Sequence, residues 1–229
     1  MYNLAANRIT NGIFKKVLLL VSYMLRCFTL LYIRLKYKTN ELIIGKGSIM
    51  YATYNISGGG KRNKICVDSD TKIKNCKFFI KGDDNVIYIG KRCNITHSTF
   101  WIQDNGCKIE IGDGTTVGNN CQFAAIEGTT ISVGKDCMFS HNIRLRTGDS
   151  HSIVDAQGKR TNYSKDITIG NHVWVGLESL ILKGCVISDN SVIAARATVN
   201  KTFDQPGLII AGAPAKQIKD RINWDRRRL

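Results

Sequence analysis

Acidic side chains are in short supply: 18 Asp and Glu stand against 33 Lys and Arg in 229 residues, a formal net charge of +15. That balance favours anionic partners, whether nucleic acid, an anionic membrane or an acidic polymer. The nucleic-acid reading gains nothing from motifs, since there is no helix-turn-helix, no aromatic RNP stripe and no zinc-finger spacing of Cys and His. Missing too is any Cys-x-x-Cys pair. The eight cysteines, Cys27, Cys66, Cys76, Cys93, Cys107, Cys121, Cys137 and Cys185, are scattered through the chain. Such placement argues against a disulfide framework and for small buried residues in a reducing, cytoplasmic compartment.

Long apolar runs are equally scarce, with one exception at residues 13–35, IFKKVLLLVSYMLRCFTLLYIRL. Its length approaches that of a membrane span, but Lys15, Ser22, Arg26, Thr29 and Lys36 fall on one narrow stripe of a helix. Three places suit such a helix: the interface of a membrane, a bundle with its own copies, or the body of the protein. A signal peptide fits poorly, because Arg26 interrupts the run and no small-residue cleavage site follows. The expected location is cytoplasmic, peripheral to the inner face of the cytoplasmic membrane if the helix meets lipid.

What is abundant is repetition. From residue 169 the chain divides without a gap into IGNHVW, VGLESL, ILKGCV, ISDNSV, IAARAT and VNKTFD. Each hexad opens with Ile or Val, and the fifth places of the first five hold Val173, Ser179, Cys185, Ser191 and Ala197. A fixed short period is the mark of a solenoid, in which each coil covers the apolar face of the last. Three six-residue sides per coil would turn the aliphatic residues inward and set the small ones at corners. Earlier pieces follow the frame less regularly: IGKGSI at 44, IGKRCN at 89, IGDGTT from 111 and VGKDCM from 133. The segment GGGKRNK at 58–64 reads as a flexible excursion. Gly in the second place, as at Gly112 and Gly176, serves a turn or a close approach; IGDGTTVG lacks the strand-to-helix setting of a phosphate loop.

Between hexads at 139 and 169 lies RTGDSHSIVDAQGKRTNYSKD, an excursion of the length that carries function more often than ornament. An imidazole titrates near operating pH and can take a proton from an attacking group. His151, at the start of this loop, is the candidate general base. His141 in FSHNIR is close enough in sequence to assist. His172 occupies a hexad place that tolerates polar groups, and His97 has no evident partner. Trp174, just after the loop, is too large to turn into the coil and is expected to face a cleft.

These hexads resemble the hexapeptide-repeat acyltransferases, most closely over residues 133–219. Within that family the likeness is to sugar O-acetyltransferases acting on galactosides, capsule or lipopolysaccharide sugars, polysialic acid among them. The resemblance implies an all-β fold: a left-handed parallel β-helix at 41–205 carrying the loop 147–166, an N-terminal apolar helix within 1–40, and a capping segment at 206–229 with a short C-terminal helix. It implies a homotrimer with acetyl-CoA as co-substrate and no metal. The ten-residue step from His141 to His151 also fails to reproduce the zinc histidines of the gamma-class carbonic anhydrases, which share the fold.

By the same resemblance Trp174 lines the acyl-donor tunnel, and a backbone N–H near Gly176 or Leu177 meets the thioester oxygen. Ala194, Ala195 and Thr198 would keep the donor groove low, and Lys201, Lys216 and Lys219 would meet its phosphates. Gly212, Pro214, Ala215 and Lys216 match the family's closing Gly-x-Pro-Ala-Lys. Arg144, Arg146, Asp149 and Tyr163, with His141, are acceptor candidates by proximity. The expected acceptor is a hydroxyl of an anionic surface glycan. Two alternatives stay open: N-acylation of a nucleotide-linked amino sugar, and a β-helix scaffold without catalysis.

Overall fold

A computed structural model describes residues 39–57 and 60–227, with Val17 and Met24 as two further positions. The chain divides into two compact units, Met1–Lys38 and Thr39–Leu229. Apart from Val17 and Met24, the helix expected over 13–35 lies outside the described residues. Among the described residues no helix is long and apolar enough to cross a membrane.

The second unit is an all-β solenoid. Its first face is a parallel sheet of seven strands, one per turn, running Glu41–Ile44, Lys64–Val67, Val86–Ile89, Lys108–Ile111, Thr130–Val133, Ile167–Ile169 and Val186–Ile187. The second and third faces are joined because long strands bend across a corner. Within Lys72–Lys81, the first three residues pair with Asn94–Thr96 on the second face, and Lys77–Lys81 pair with Thr99–Gln103 on the third.

The hexad frame explains the interior. Ile169, Val175, Ile181, Ile187, Ile193 and Val199 are all buried, as are the fifth-place residues from Val173 to Ala197. Stacking each aliphatic on its counterpart one coil away removes both from water, at roughly 25 cal/mol per Å² of apolar surface. Gly176 is fixed by close approach: a Cβ there would lie 2.6 Å from Ala195 N. Within the hexads, positive backbone angles recur in the fourth place, at residues such as Asn120, Asp136, His172 and Asn190, which turn the corners.

The early coils are regular but larger. Ile65, Ile87, Ile109 and Ile131 stack in steps of 22 residues, against the step of 18 from Thr168 to Val186. The third face carries the excess: Gln122 to Ser132 spans ten residues, whereas its equivalent Leu180 to Val186 spans six. The larger interior takes a ladder of aromatics, with Phe78 stacked on Phe100 at 4.9 Å and Phe100 on Phe123 at 5.3 Å. Residues 60–64, expected in a flexible excursion, form an ordinary corner in which buried Asn63 donates to Gly82 O and accepts from Asn85 N.

The short C-terminal helix is corrected. Ile209–Ala211 extends the second face beside Val192–Ile193, and Lys216–Lys219 returns antiparallel to it. Ile210 and Ala215 bury themselves against the last coil, while Gly212 at φ 97° and Pro214 make the turn between the strands. Strand pairing to an open solenoid end wins here over helix formation.

Candidate active site

The loop 147–166 leaves the corner between the third and first faces, where it is tied down at several points. Asn162 is the hub. Its side-chain amide donates to His151 O and to Asp149 Oδ2, both at 2.8 Å, and its Oδ1 accepts from Ile153 N at 2.7 Å. Lys183, from the next coil, donates to Asn162 O at 3.1 Å and pairs with Asp149. From the preceding coil, Glu127 accepts from Ser164 Oγ at 2.7 Å and pairs with Arg160 at 2.8 Å. The hydrogen bond from Lys183, then that from Asn162, holds the Asp149 carboxyl below the usual carboxylate range. His151 therefore has a fixed backbone and an exposed imidazole without a hydrogen-bond partner among the described residues.

Trp174 projects from the second face, 39% exposed, and beyond it the chain turns the corner to the third face at Gly176–Ser179. Here a rule of the corners becomes visible. The third-place N–H of one coil donates to a third-place side chain of the next: Asn171 to Asp189, Lys135 to Asn171 and Asn119 to His141, each at 2.8 Å. Where the next coil offers Lys135, Leu177 or Ala195, no acceptor exists. The N–H groups of Asp113, His141 and Leu177 are then without a partner among the described residues. The expectation of a free donor near Gly176 or Leu177 thus narrows: the N–H of Gly176 is bound to Ile193 O at 2.7 Å, and that of Leu177 is open.

The other expected site residues separate into groups. Ala194, Ala195 and Thr198 lie beside the C-terminal hairpin, with Thr198 N bonded to Gly212 O and Ala215 N to Thr198 O. Lys216 and Lys219 are exposed on that hairpin. Lys201 is elsewhere, past the third face, with Nζ 5.3 Å from the Phe203 ring. Arg144 and Arg146 project from the third face, and exposed Tyr163 stands 5.1 Å from the Arg160 guanidinium on the loop. His141 accepts from Asn119 N, so its Nδ1 serves the corner. His151 and Leu177 occupy different corners, with the third face between them.

The sequence reading missed the clasp on His172. Trp224 stacks on its ring at 4.2 Å, donates from Nε1 to His172 O at 2.7 Å, and stands 6.1 Å from Trp174. The His172 nitrogens face Asp136 Oδ2 at 2.6 Å and Trp224 O at 2.9 Å. Arg226 completes the clasp, reaching Asp136 Oδ1 and Cys137 O at 2.7 Å. Partial burial opposes ionisation of Asp136, but the bonds from His172 and Arg226 outweigh it and keep the carboxyl below its ordinary range. No local signal marks these partners, which are 52 and 90 residues apart. The seven described cysteines are free thiols, and burial pushes those of Cys93, Cys121, Cys137 and Cys185 up to about 11. They are protonated near neutrality and are poor nucleophiles. Among the described residues no group of three or more His, Cys, Asp or Glu could hold a metal ion.

Comparison with known proteins decides the family. A polysialic acid O-acetyltransferase of Neisseria meningitidis is 33% identical over 197 residues, covering 76% of this chain and 91% of that protein. The chain belongs to the hexapeptide-repeat O-acetyltransferases. Among solved structures of this O-acetyltransferase family, the polySia-specific acetyltransferase NeuO matches with a TM-score of 0.74 at 31% identity, covering 82% of this chain and 86% of that one. The polysialic acid O-acetyltransferase OatWY matches with a TM-score of 0.63 at 30% identity, covering 82% and 92%. No family model matches the chain.

Proposed function

We propose that this O-acetyltransferase moves an acetyl group from acetyl-CoA to a hydroxyl of an anionic capsular polysaccharide of the polysialic acid type. The observation that carries the reading is the similarity to a polysialic acid O-acetyltransferase across 91% of that protein's length. The +15 charge suits such an acceptor.

Acetyl-CoA, as co-substrate, supplies the activated acyl group. The residues present fit it: a free N–H at Leu177, the small Ala194 and Ala195 beside it, and Lys216 and Lys219 on the adjoining hairpin. His151 takes the proton of the acceptor hydroxyl as its oxygen forms a bond to the acyl carbon. The Leu177 N–H donates to the developing oxyanion, a contribution of ~10²–10³ in rate for one such donor. His151 then returns the proton to the departing thiolate. Trp174, with Trp224 behind it, walls the donor side. Because His151 and Leu177 stand at different corners, the loop of one copy meets the donor corner of the next in a homotrimer, which brings the groups together. The free buried thiols fit a reducing cytoplasm.

CoA release from acetyl-CoA, measured with polysialic acid, neutral glycans and nucleotide-linked amino sugars, tests this. Polysialic acid-dependent release, lost in His151→Ala, is the expected result. Acetylation of amino sugars alone would replace it with N-acylation, and the absence of CoA binding with no effect of His151→Ala would leave a scaffold.

A further inference from the structure

The second and third faces both lack acidic residues in their strands, unlike the first, and the third face of the wide coils adds an aromatic pair to its cations. The strands of this third face are residues 52–57, 77–81, 99–103, 122–126, 144–146, 180–182 and 198–199. Four cations project from it: Lys77, Lys81, Arg144 and Arg146. None of them has an ion-pair partner among the described residues. On the first face, by contrast, Lys64 pairs with Glu41 at 3.0 Å and Lys108 with Glu110 at 2.7 Å.

Between these cations lies an outward aromatic pair. Phe78, Ile80, Phe100 and Ile102 are buried, so by strand alternation Phe79 and Trp101 point outward. Their rings stack at 4.2 Å and 26°, and both stay partly exposed. The strand register sets Phe79, Trp101, Ala124 and Arg146 in one column. At about 4.8 Å per strand, that column is roughly 14 Å long. Beside it runs Lys81, Gln103 and Ile126, and the loop rests on its end: a Cβ at Gly148 would lie 2.6 Å from Ile126 Cδ1. The surface therefore leads to the base of the loop that carries His151.

We infer that this face is the binding track for the acidic glycan chain, several sugars long, outside the reacting centre. Flat aromatic rings offer broad contact to the C–H faces of sugar rings, and flanking Lys and Arg meet their carboxylates. Unpaired cations on a face without acids draw a polyanion along it and make binding sensitive to salt. The inference rests on the acidic-glycan reading above and assigns where the chain lies.

The test uses the full chain with two readouts, equilibrium binding of fluorescent polysialic acid and transfer from acetyl-CoA. Lys77→Glu/Lys81→Glu and, separately, Phe79→Ser/Trp101→Ser should each raise the polymer Kd and KM about tenfold while leaving the acetyl-CoA KM in place. Lys91→Glu, an exposed cation at another corner, should change them less than about twofold. The charge-reversal pair keeps the test valid if the aromatic pair does not fold. Unchanged polymer binding in the charge-reversal pair would overturn the track, as would trimers that fall apart in it, which would make this face a subunit contact. Tighter competition by a single-stranded oligonucleotide than by polysialic acid would also overturn it. Binding lost in the variants, with no acetyl transfer by the native chain, would support the track and contradict the transfer reading alone.

Discussion

Supplying the missing acceptor at the Leu177 corner should inactivate the enzyme while stabilising it. Ala195 holds the place that Asp189 holds opposite Asn171, and there the N–H is bonded at 2.8 Å. Ala195→Asn offers the same oxygen to Leu177 N–H. A net hydrogen bond contributes about 0.5–1.5 kcal/mol, which for a domain of this size raises Tm by roughly 2–4 °C per kcal/mol. Occupying the proposed oxyanion donor should lower kcat by ~10²–10³, equivalent to ~2.7–4 kcal/mol of lost transition-state stabilisation. Ala195→Leu, similar in bulk but without an acceptor, separates this effect from crowding of the groove. The assay is acceptor-dependent CoA release beside thermal unfolding, with hydrogen exchange at Leu177. If Ala195→Asn slows exchange at Leu177 yet retains the activity of Ala195→Leu, that N–H is not the catalytic donor.

Three further outcomes follow from the same geometry. Alkylation of the folded chain should spare Cys76, Cys93, Cys107, Cys121, Cys137 and Cys185 and reach half-buried Cys66; rapid modification of Cys121 before unfolding, read by mass spectrometry, would contradict their burial. Asp149 has a lowered folded pKa, so its tie to Lys183 contributes stability above the ordinary carboxylate value of ~3.9 that disappears as pH falls through the folded value. The Tm gap between native chain and Asp149→Asn should accordingly close in acid, and a gap that widens there would refute the assignment. Ending the chain after Ile222 removes the Trp224 wall and should raise the acetyl-CoA KM several-fold, about 3–10-fold, with a smaller effect on the acceptor; an unchanged donor KM would exclude the tail from the donor site.

The solenoid was legible because its signal is local and repeated: Ile or Val every six residues must face inward if the coils are to close. The wide coils were harder to read, since the extra residues sit on one side and interrupt the hexads at residues such as Ile80, Ile102 and Ala125. The C-terminal helix was misjudged because Ile209 and Ile210 find strand partners only once the solenoid end exists. The family resemblance pointed to an N–H near Gly176 or Leu177 without choosing between them; that Leu177's is open while Gly176's is bound depends on Ala195, a coil away. Asn162, Lys183 and Trp224 carry no local mark, and their roles arise from contacts across coils. His151 was conspicuous for its loop, yet its distance from the donor corner belongs to three dimensions.

Co-expression of His151→Ala and Ala195→Asn chains, each inactive alone, tests most directly whether two copies build one acetyl-transfer site. In the proposed trimer, random mixing pairs an intact loop with an intact donor corner at about a quarter of the sites, so roughly a quarter of native activity should return. Mixed trimers as inactive as either parent would contradict the shared site and place the whole reaction within a single chain.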